Sequence, residues 1–349
     1  MHPQNISQGL GELVDPLKFN HPLNLCGLTR EKTFSLLKNM LTIRIIEEKI
    51  SHLIVRGVVK TPCHLGTGQE AIAVGISENL TKHDYAFGTH RSHSHYLAMG
   101  GGVYELIAEV LGKKEGASKG MGGSMHLYGG EVGFMGSVPI VGATIPIAVG
   151  AAMAAKMDNN QAIAVCFFGD GAAEEGVLHE SLNLASAYNL PVLFVCENNL
   201  YSSHLDINLR QPCDRVARFA QAHCIEAVTI DGNDVVGVRD ASLNLIKKMR
   251  SECRPGFIEA VTYRWCGHVG PDENIDVGVR RSKSELDAWK QRDPIKRLRQ
   301  AMMLEESLTE SSYLQLVDNI NGMVDEAIIK AEKAPYPKNE ALYDLVYEA

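Results

Sequence analysis

The chain has 349 residues, of which 45% are hydrophobic and 22% charged, and this composition is typical of a folded globular protein rather than a disordered one. Its formal net charge is −8 and it contains no long basic run, which argues against nucleic acid or an anionic membrane surface as the main partner and favours a small ligand. The length allows one large domain or two ordinary ones.

The N-terminal sequence and the cysteines indicate the cellular compartment in which the protein is expected. The stretch MHPQNISQGLGELVDP lacks the charged start and apolar core of a signal peptide, and it is not arginine-rich like a transit peptide. The eight cysteines are scattered, and no two lie at zinc-finger or redox-motif spacing. We therefore expect a cytoplasmic protein, with residues 1–28 as an N-terminal extension and residues 29–349 as one domain.

Helical patterns and glycine-rich loops alternate in the first part of the chain. Thr29 is a suitable N-cap for a helix over REKTFSLLKNMLTIRIIEEKI, and GQEAIAVGISENL and VYELIAEVLG predict two more helices. The glycine-rich and histidine-rich stretches between residues 85 and 135 are typical of ligand-binding loops. The small residues of 142–157 predict a closely packed, buried helix, and a subunit interface is one place where it could lie.

From residue 162 onwards, strand-like runs alternate with helical patterns. The predicted strands are AIAVCFF, PVLFVC, IEAVTI and GFIEAVTYRW, and the helices between them span about 173–188 and 235–249. Successive β-α-β units predict an α/β fold, a doubly wound parallel sheet with flanking helices. A polar loop follows, and amphipathic helices extend to the C-terminus.

Polar residues follow two neighbouring strands of this predicted sheet. Asp170 stands between two glycines directly after AIAVCFF, and Asn199 follows PVLFVC within ENN. Crossover connections bring the ends of such strands together, and doubly wound sheets bind ligands beyond those ends. The side-chain oxygens of Asp170 and Asn199, with the backbone carbonyl of Tyr201, form a donor set that suits Mg²⁺ completed by water and phosphate oxygens.

An anion is expected beside this metal. Gly171 and Ala172 are predicted to open the next helix, whose N-terminal amides favour a negative group. The two features together predict a site for a metal-bridged phosphate ester. For Gly-Asp-Gly taken alone, a tight turn with a solvated aspartate is the better interpretation, but the strand context and the following ENN favour the metal site.

These residues carry a resemblance to a known family. GDGAAEEGVLHESLNLASAYNLPVLFVCENNLY resembles the thiamine diphosphate motif, which begins with GDG and ends with NN, and in its details it is similar to the alpha subunit of the 2-oxo acid dehydrogenase decarboxylase component. That family includes the pyruvate, branched-chain and acetoin dehydrogenases. Six further motifs follow in family order, over roughly residues 25–340: CHLGTGQEA, HRSHSHYLAMG, KGMGGSMHLY, IVGATIPIAVG, YRWCGHVG and RDPI.

The resemblance implies roles for eleven positions. Mg²⁺ would be held by the oxygens named above, and the diphosphate by backbone amides and two arginines, whose guanidinium forks suit phosphate. The backbone of Val141 would contact the aminopyrimidine ring. Facing the substrate as catalytic residues would be His64 and His268, with His93 a candidate of lower rank. The implied cofactor residues are His90, Arg91, Val141, Asp170, Gly171, Ala172, Asn199 and Arg264, and the implied metal ligands are Asp170, Asn199 and Tyr201.

The resemblance also implies a reaction and partners. A pyruvate-type 2-oxo acid would lose carbon dioxide with the help of thiamine diphosphate and Mg²⁺, and its acyl group would pass to a lipoyl group on a dihydrolipoyl acyltransferase. In the family a glutamate of the beta subunit acts on the aminopyrimidine ring, and this sequence shows no second domain to supply it. We therefore expect an assembly of two alpha and two beta chains.

Three alternatives stay open at this point. An acetoin dehydrogenase alpha subunit is the nearest, since HLxxGQEA is shared between the two kinds of enzyme. The N-terminal half of a split transketolase would use the same fold but lacks support from CHLGTGQEA and YRWCGH. A degenerate subunit acting as a scaffold would not need the intact Asp170 and Asn199.

Several positions depart from the commoner family pattern. Gly66 and His90 stand where tyrosines are frequent, and Pro139 stands where a glycine is common, which bears on the shape of the substrate pocket. Val269 occupies the place of a regulatory serine in mammalian pyruvate dehydrogenases, so we expect no kinase control there. The loop 267–283 is expected to become ordered when the cofactor binds.

Overall fold

A parallel β-sheet forms the centre of the protein, for which a computed structural model describes residues 9–275 and 281–344. Its strands are β1 Tyr85–Gly88, β2 Phe134–Ser137, β3 Ala164–Gly169, β4 Val192–Asn198, β7 Glu226–Asp231 and β8 Gly256–Val261. They lie in the order β2-β1-β3-β4-β8-β7, and every neighbouring pair is parallel. Two short strands, β5 Tyr201–Ser202 and β6 Leu205–Asp206, form a separate antiparallel hairpin. The predicted α/β fold is confirmed.

The central strands are apolar because both faces of the sheet are covered. Along β3, Val165 and Phe167 belong to one hydrophobic cluster, whereas Cys166 and Phe168 belong to the other. Successive side chains of a strand point to opposite faces, so a strand buried on both sides reads as a continuous apolar run. This explains why AIAVCFF shows no alternation with polar residues.

Helices pack on both faces of the sheet. They are α1 Arg30–Val55, α2 Glu70–Ser77, α3 His93–Ala98, α4 Val103–Val110, α5 Thr144–Met157, α6 Gly176–Ala187, α7 Ala217–Ala222, α8 Val235–Glu252, α9 Lys283–Gln291, α10 Pro294–Leu304, α11 Glu310–Lys333 and α12 Ala341–Asp344. Residues of α1, α2, α4, α8, α10 and α11 contribute to one apolar cluster, and residues of α5, α6, α7 and α9 to the other. Among the described residues, no helix combines the length and the apolar character that crossing a membrane requires.

The helix predicted over 142–157 forms as α5, but it is buried on one face only. Ile145, Ala148 and Ala152 are fully buried against the sheet. On the opposite face the side chains of Ile147 and Met157 are 51% and 80% exposed. The predicted helix is therefore confirmed and is buried on its inner face, whereas its outer face is uncovered in the single chain.

The predicted opening of the helix after β3 needs a correction. Gly171 and Ala172 lie in a 3-10 turn, Asp170–Glu174, and the α-helix α6 begins only at Gly176. The reason is the extended backbone of Glu175, with φ −78° and ψ 136°, which separates the turn from the helix. The two residues thus present a tight turn, not the first turn of an α-helix, to the end of the sheet.

Buried ion pairs fasten the C-terminal helices to the sheet and to α1. Asp231, at the end of β7, accepts hydrogen bonds from Arg292 (2.8 Å) and Arg297 (2.7 Å), and both arginines are buried. Asp293 caps α10 by accepting from the backbone N–H of Ile295 (3.0 Å), and Pro294 occupies the first turn. The motif RDPI therefore has a structural role, since it links the C-terminal helices to the sheet and caps α10.

Candidate active site

A pocket lies at the carboxyl end of the sheet, where β3 and β4 run side by side. Its volume is about 890 Å³, including the part that is open to solvent. Asp170 follows β3 and Asn199 follows β4, and both line the pocket. The position agrees with the general rule that such sheets bind ligands beyond their carboxyl edge.

All eleven residues singled out from the sequence line this one pocket. They come from segments far apart in the chain, and they are His64, His90, Arg91, Val141, Asp170, Gly171, Ala172, Asn199, Tyr201, Arg264 and His268. His93, the candidate of lower rank, does not line it. Several further residues line the pocket without having been predicted, among them Gln69, Thr89, Met125, Glu197, Ser202 and Ser203.

The predicted metal donors lie close together, and hydrogen bonds hold one of them. Asp170 and Asn199 are 2% and 8% exposed. The Nδ2 of Asn199 donates to Oε1 of Gln69 (3.2 Å), and its Oδ1 accepts from the backbone N–H of Tyr201 (3.3 Å). Leu200, between them, has a left-handed backbone with φ 70°, which is uncommon for a residue other than glycine. The turn is therefore shaped by tertiary contacts.

Arg210 is a partner of Asp170 that the sequence analysis missed. Its side chain is 5% exposed and forms ion pairs with both Asp170 and Glu174, while its Nε donates to the carbonyl of Leu205 (3.0 Å). Burial raises the pKa of Asp170, and the charge of Arg210 acts in the opposite direction. Arg210 does not line the pocket, so it holds this carboxylate from outside.

Two buried arginines supply positive charge to the pocket. Arg91 donates to the carbonyls of Leu65 (2.5 Å) and His268 (3.2 Å), and Arg264 donates to the carbonyl of Ser203. Burial lowers the pKa of Arg91 to about 10 and the pKa of Arg264 to about 9, so both stay protonated at neutral pH. The buried Nε of Arg264 has no hydrogen-bond partner among the described residues. A buried donor without an acceptor is costly, so this atom suits an anionic ligand.

Three histidines form a cluster on another wall of the pocket. The ring centroids of His64 and His90 are 4.5 Å apart, those of His64 and His268 4.9 Å, and those of His90 and His268 5.4 Å. Burial, followed by the charge of Arg91, lowers the pKa of His64 to about 3, of His90 to about 2 and of His268 to about 4. All three rings are therefore uncharged at neutral pH.

The hydrogen bond between Arg264 and His268 fixes how this uncharged ring is protonated. The NH1 of Arg264 lies 3.3 Å from Nδ1 of His268. Because an arginine can only donate, Nδ1 must accept, and the proton of the neutral ring is on Nε2. His268 can therefore donate one hydrogen bond from Nε2 without carrying a charge.

The lowered pKa values predict how stability depends on pH. In the unfolded chain these histidines take up protons near pH 6.5, whereas in the folded chain they stay neutral to much lower pH. Below pH 6.5 the unfolded state therefore binds more protons than the folded state, which lowers the free energy of unfolding as the pH falls. Above pH 6.5 neither state binds these protons, and the free energy of unfolding is not reduced. We expect the melting temperature of the ligand-free chain to drop between pH 7 and pH 5, and to drop less in His90→Gln, as measured by calorimetry. An equal drop in both proteins would contradict this.

Two buried carboxylates hold the pocket walls in place. Glu47 accepts from the backbone N–H of Gly66 (3.1 Å) and pairs with Nδ1 of His93 (3.1 Å), whose Nε2 contacts Oγ of Ser124 (2.8 Å). His93 is thus a structural residue that links the walls. Glu197 in turn lies 3.1 Å from Nε2 of His95. No local pattern in the sequence distinguishes these contacts, because their partners lie far apart in the chain.

The residues present fit a diphosphate ester with a divalent cation. One carboxylate, one amide oxygen and one backbone carbonyl offer the hard oxygen donors that Mg²⁺ prefers, and they leave positions for phosphate oxygens. Arg91 and Arg264 supply cations for the phosphates, and the unpartnered Nε of Arg264 is one donor that such a group would satisfy. The buried Nδ1 of His64, another residue that lines the pocket, also lacks a partner among the described residues.

Comparison with known proteins gives the family. The family model described as "Dehydrogenase E1 component" matches residues 38–340. The alpha subunit of acetoin:2,6-dichlorophenolindophenol oxidoreductase of Bacillus subtilis (strain 168) is 36% identical over 322 residues, which are 92% of this chain and 95% of that protein.

Two pyruvate dehydrogenase subunits are similar at nearly the same level. The mitochondrial pyruvate dehydrogenase E1 component subunit alpha of Solanum tuberosum is 34% identical over 311 residues, 89% of this chain and 78% of that one. The pyruvate dehydrogenase E1 component subunit alpha of Rickettsia bellii (strain RML369-C) is 31% identical over 318 residues, 91% and 96% of the two chains. The chain therefore aligns with these relatives over most of their length.

Proposed function

This chain belongs to the dehydrogenase E1 component family as an alpha subunit, and from that premise we propose that it serves a thiamine diphosphate-dependent 2-oxo acid dehydrogenase, with pyruvate as the first candidate substrate. The observation that carries the proposal is the meeting of all eleven expected residues in one pocket at the carboxyl end of the sheet. The boundary of its domain, 29–349, and a cytoplasmic location are part of the same proposal.

Different sets of pocket residues would hold the metal ion and the cofactor. Mg²⁺ would bind Asp170, Asn199 and the carbonyl of Tyr201, and the diphosphate would receive hydrogen bonds from Arg91 and Arg264. The set is completed by His90, by the backbone of Val141 and by the turn of Gly171 and Ala172. When bound, thiamine diphosphate supplies the electron sink that cleavage next to a carbonyl carbon requires. The work of this chain is to orient the cofactor and to exclude water from it.

His64 and His268 would act on the substrate. Both line the pocket, and both are neutral at neutral pH for the reasons given above. The Nε2–H of His268, fixed by Arg264, would donate to an oxygen of the substrate and stabilise negative charge that develops there. His64 would hold the opposite side of the same oxygen-bearing group through its unpartnered Nδ1.

A beta subunit would complete the site. The side chains of Ile140 and Val141 line the pocket and are 69% and 51% exposed, as expected of a rim that another chain covers. Large apolar side chains clustered at an exposed rim favour a protein contact. We propose an assembly of two alpha and two beta chains that passes its acyl group to a lipoyl domain, and loop 267–283, of which 276–280 lie outside the described residues, would become ordered with the cofactor.

Acetoin cleavage is the second candidate. It is favoured by the Bacillus subtilis relative, which at 36% identity is at least as similar to this chain as the pyruvate dehydrogenase subunits at 31–34%. The split-transketolase alternative is less favoured, since the family model that matches is that of the E1 component. A scaffold role is less favoured because the oxygen donor set is intact.

The test is a substrate comparison on the assembled enzyme. We would co-express the chain with its genomic beta neighbour, add thiamine diphosphate and Mg²⁺, and follow reduction of an artificial electron acceptor with pyruvate, 2-oxobutyrate, 2-oxoisovalerate or acetoin. A preference for pyruvate would support the first candidate, and activity with acetoin alone the second. Inactivity with all four substrates despite bound cofactor would contradict both.

A further inference from the structure

We propose that Gln69 is a further residue of the cofactor site: its side-chain oxygen stabilises the metal-binding orientation of Asn199, and its NH2 group donates to the diphosphate. The inference rests on the proposed function, because it concerns how the same pocket holds its metal and anion. Gln69 lies in the motif CHLGTGQEA, lines the pocket and is 3% exposed.

An asparagine can bind a metal only when its oxygen, not its nitrogen, faces the ion. Two contacts hold Asn199 in this orientation: its Nδ2 donates to Oε1 of Gln69 (3.2 Å), and its Oδ1 accepts from the N–H of Tyr201 (3.3 Å). The N–H of Tyr201 can only donate, so it excludes the flipped amide of Asn199. Gln69 then meets Nδ2 with its oxygen and stabilises the orientation that Tyr201 selects.

The other end of the Gln69 side chain is free to meet a ligand. Among the described residues no acceptor for its Nε2 is found, and this atom is not one of the fully buried polar atoms, so it is open to the pocket that Gln69 lines. With Oε1 committed to Asn199, the amide can offer only N–H donors on its remaining side. A diphosphate in the pocket would supply the missing acceptor, so one side chain would contact both the metal ligand and the anion.

The backbone around Gln69 is held firmly enough for such a role. Its N–H donates to the carbonyl of Gly66 (3.0 Å), and it stands directly before α2. Gly68 has a left-handed φ of +96°, and a Cβ there would lie 2.5 Å from the ring of Trp265. Only glycine fits this close approach, which fixes the turn relative to the pocket.

Two substitutions separate the two halves of the proposal. Gln69→Met removes the acceptor for Asn199 and the donors for the diphosphate at similar size. Gln69→Glu keeps an acceptor for Asn199 but turns a negative oxygen towards the diphosphate. Gln291→Met is the matched control, because Gln291 is an exposed amide on α9 whose Oε1 contacts only Lys296 (3.0 Å).

The measurement is equilibrium binding to the co-expressed alpha and beta assembly. Mn²⁺, as a probe of the Mg²⁺ site, would be followed by electron paramagnetic resonance at saturating thiamine diphosphate, and thiamine diphosphate by titration calorimetry at saturating Mn²⁺. We expect Gln69→Met to weaken Mn²⁺ binding about tenfold. We expect Gln69→Glu to bind Mn²⁺ no more weakly than wild type but to bind thiamine diphosphate at least about tenfold more weakly.

The outcomes distinguish this inference from the proposed function. If wild type and Gln291→Met bind the cofactor while both Gln69 variants bind metal and cofactor within about twofold of wild type, Gln69 has no such role. If Gln69→Met fails to assemble, Gln69→Glu still decides the question, because equal loss of metal and cofactor binding in it would indicate a general structural defect and overturn the inference. If wild type itself binds no cofactor, the proposed function fails and this inference with it.

Discussion

Replacing Asp170 by asparagine should lower cofactor-dependent activity at least about 100-fold and abolish measurable Mg²⁺-dependent binding of thiamine diphosphate. The change keeps the size of the side chain and removes its charge. Two carboxylates of the described residues line the pocket, Asp170 and Glu197, and Asp170 is the one that belongs with Asn199 to the proposed metal donor set. Titration calorimetry on the co-expressed assembly, with and without Mg²⁺, would measure the loss.

The control for this experiment is Glu174→Gln. Arg210 pairs with Asp170 on one side and with Glu174 on the other, but Glu174 does not line the pocket. If the ion pair with Arg210 were what matters, the two variants would lose activity alike. We expect Glu174→Gln to stay within about threefold of wild type, since Glu174 is exposed and outside the pocket, and the ion pair of an exposed carboxylate contributes little. Equal losses would show that Asp170 has only a structural role.

Replacing Glu109 by glutamine should lower the free energy of unfolding by on the order of 3 kcal/mol. Glu109 is fully buried, and its two carboxylate oxygens accept four backbone hydrogen bonds from the loop after α4. The donors, at 2.7, 2.9, 2.7 and 3.0 Å, are the N–H groups of Ser118, Gly120, Gly122 and Gly123. A glutamine would place its own NH2 group against two of these donors, and the shift in the urea unfolding midpoint would report the cost.

Activity should fall together with stability in this variant. The loop that Glu109 holds leads directly to Ser124, which contacts His93, and to Met125, which lines the pocket. Glu105→Gln is the matched control, because Glu105 lies one turn earlier on the same helix and is exposed. We expect its unfolding midpoint to equal that of wild type. A stable Glu109→Gln with normal activity would contradict the role given to this carboxylate.

The sequence predicts four of the six strands of the parallel sheet, whereas β1 and β2 lie in the glycine-rich region, whose sequence indicates loops. β3 and β4 are continuous apolar runs that end in Gly-Asp-Gly and in Asn-Asn, so the place where the chain turns polar is visible without coordinates. Strands that follow one another in the chain are usually neighbours in the sheet, as β3 and β4 are. Asp170 and Asn199 could therefore be placed at one site by physical argument alone.

Other site residues could be found only through the family resemblance. His64, Arg91 and His268 lie in loops with no periodic pattern, and only the structure shows that they line the same pocket. Arg210 and Gln69 were missed altogether, because their partners, Asp170 and Asn199, are 40 and 130 residues away along the chain. Local propensity carries no information about such pairings.

The start of α6 shows the opposite kind of error. Helical residues from Gly171 onwards suggested that α6 begins beside Asp170, yet the chain forms a 3-10 turn and an extended residue first. In that turn, Asp170 is held by Arg210 from the hairpin side. The 3-10 turn that replaces the expected first turn of α6 thus contains a tertiary ion pair, and it lies where the proposed metal would bind.

The most direct test of the proposed cofactor site is titration of the co-expressed alpha and beta assembly with thiamine diphosphate. The titration would be carried out once in the presence of Mg²⁺ and once without it, after treatment with a chelator. We expect saturable binding of thiamine diphosphate that requires the metal and that is lost in Asp170→Asn but kept in Glu174→Gln. Binding that is equally tight without any divalent metal, or no binding to wild type under either condition, would contradict the central claim that this pocket holds a metal-bridged diphosphate cofactor.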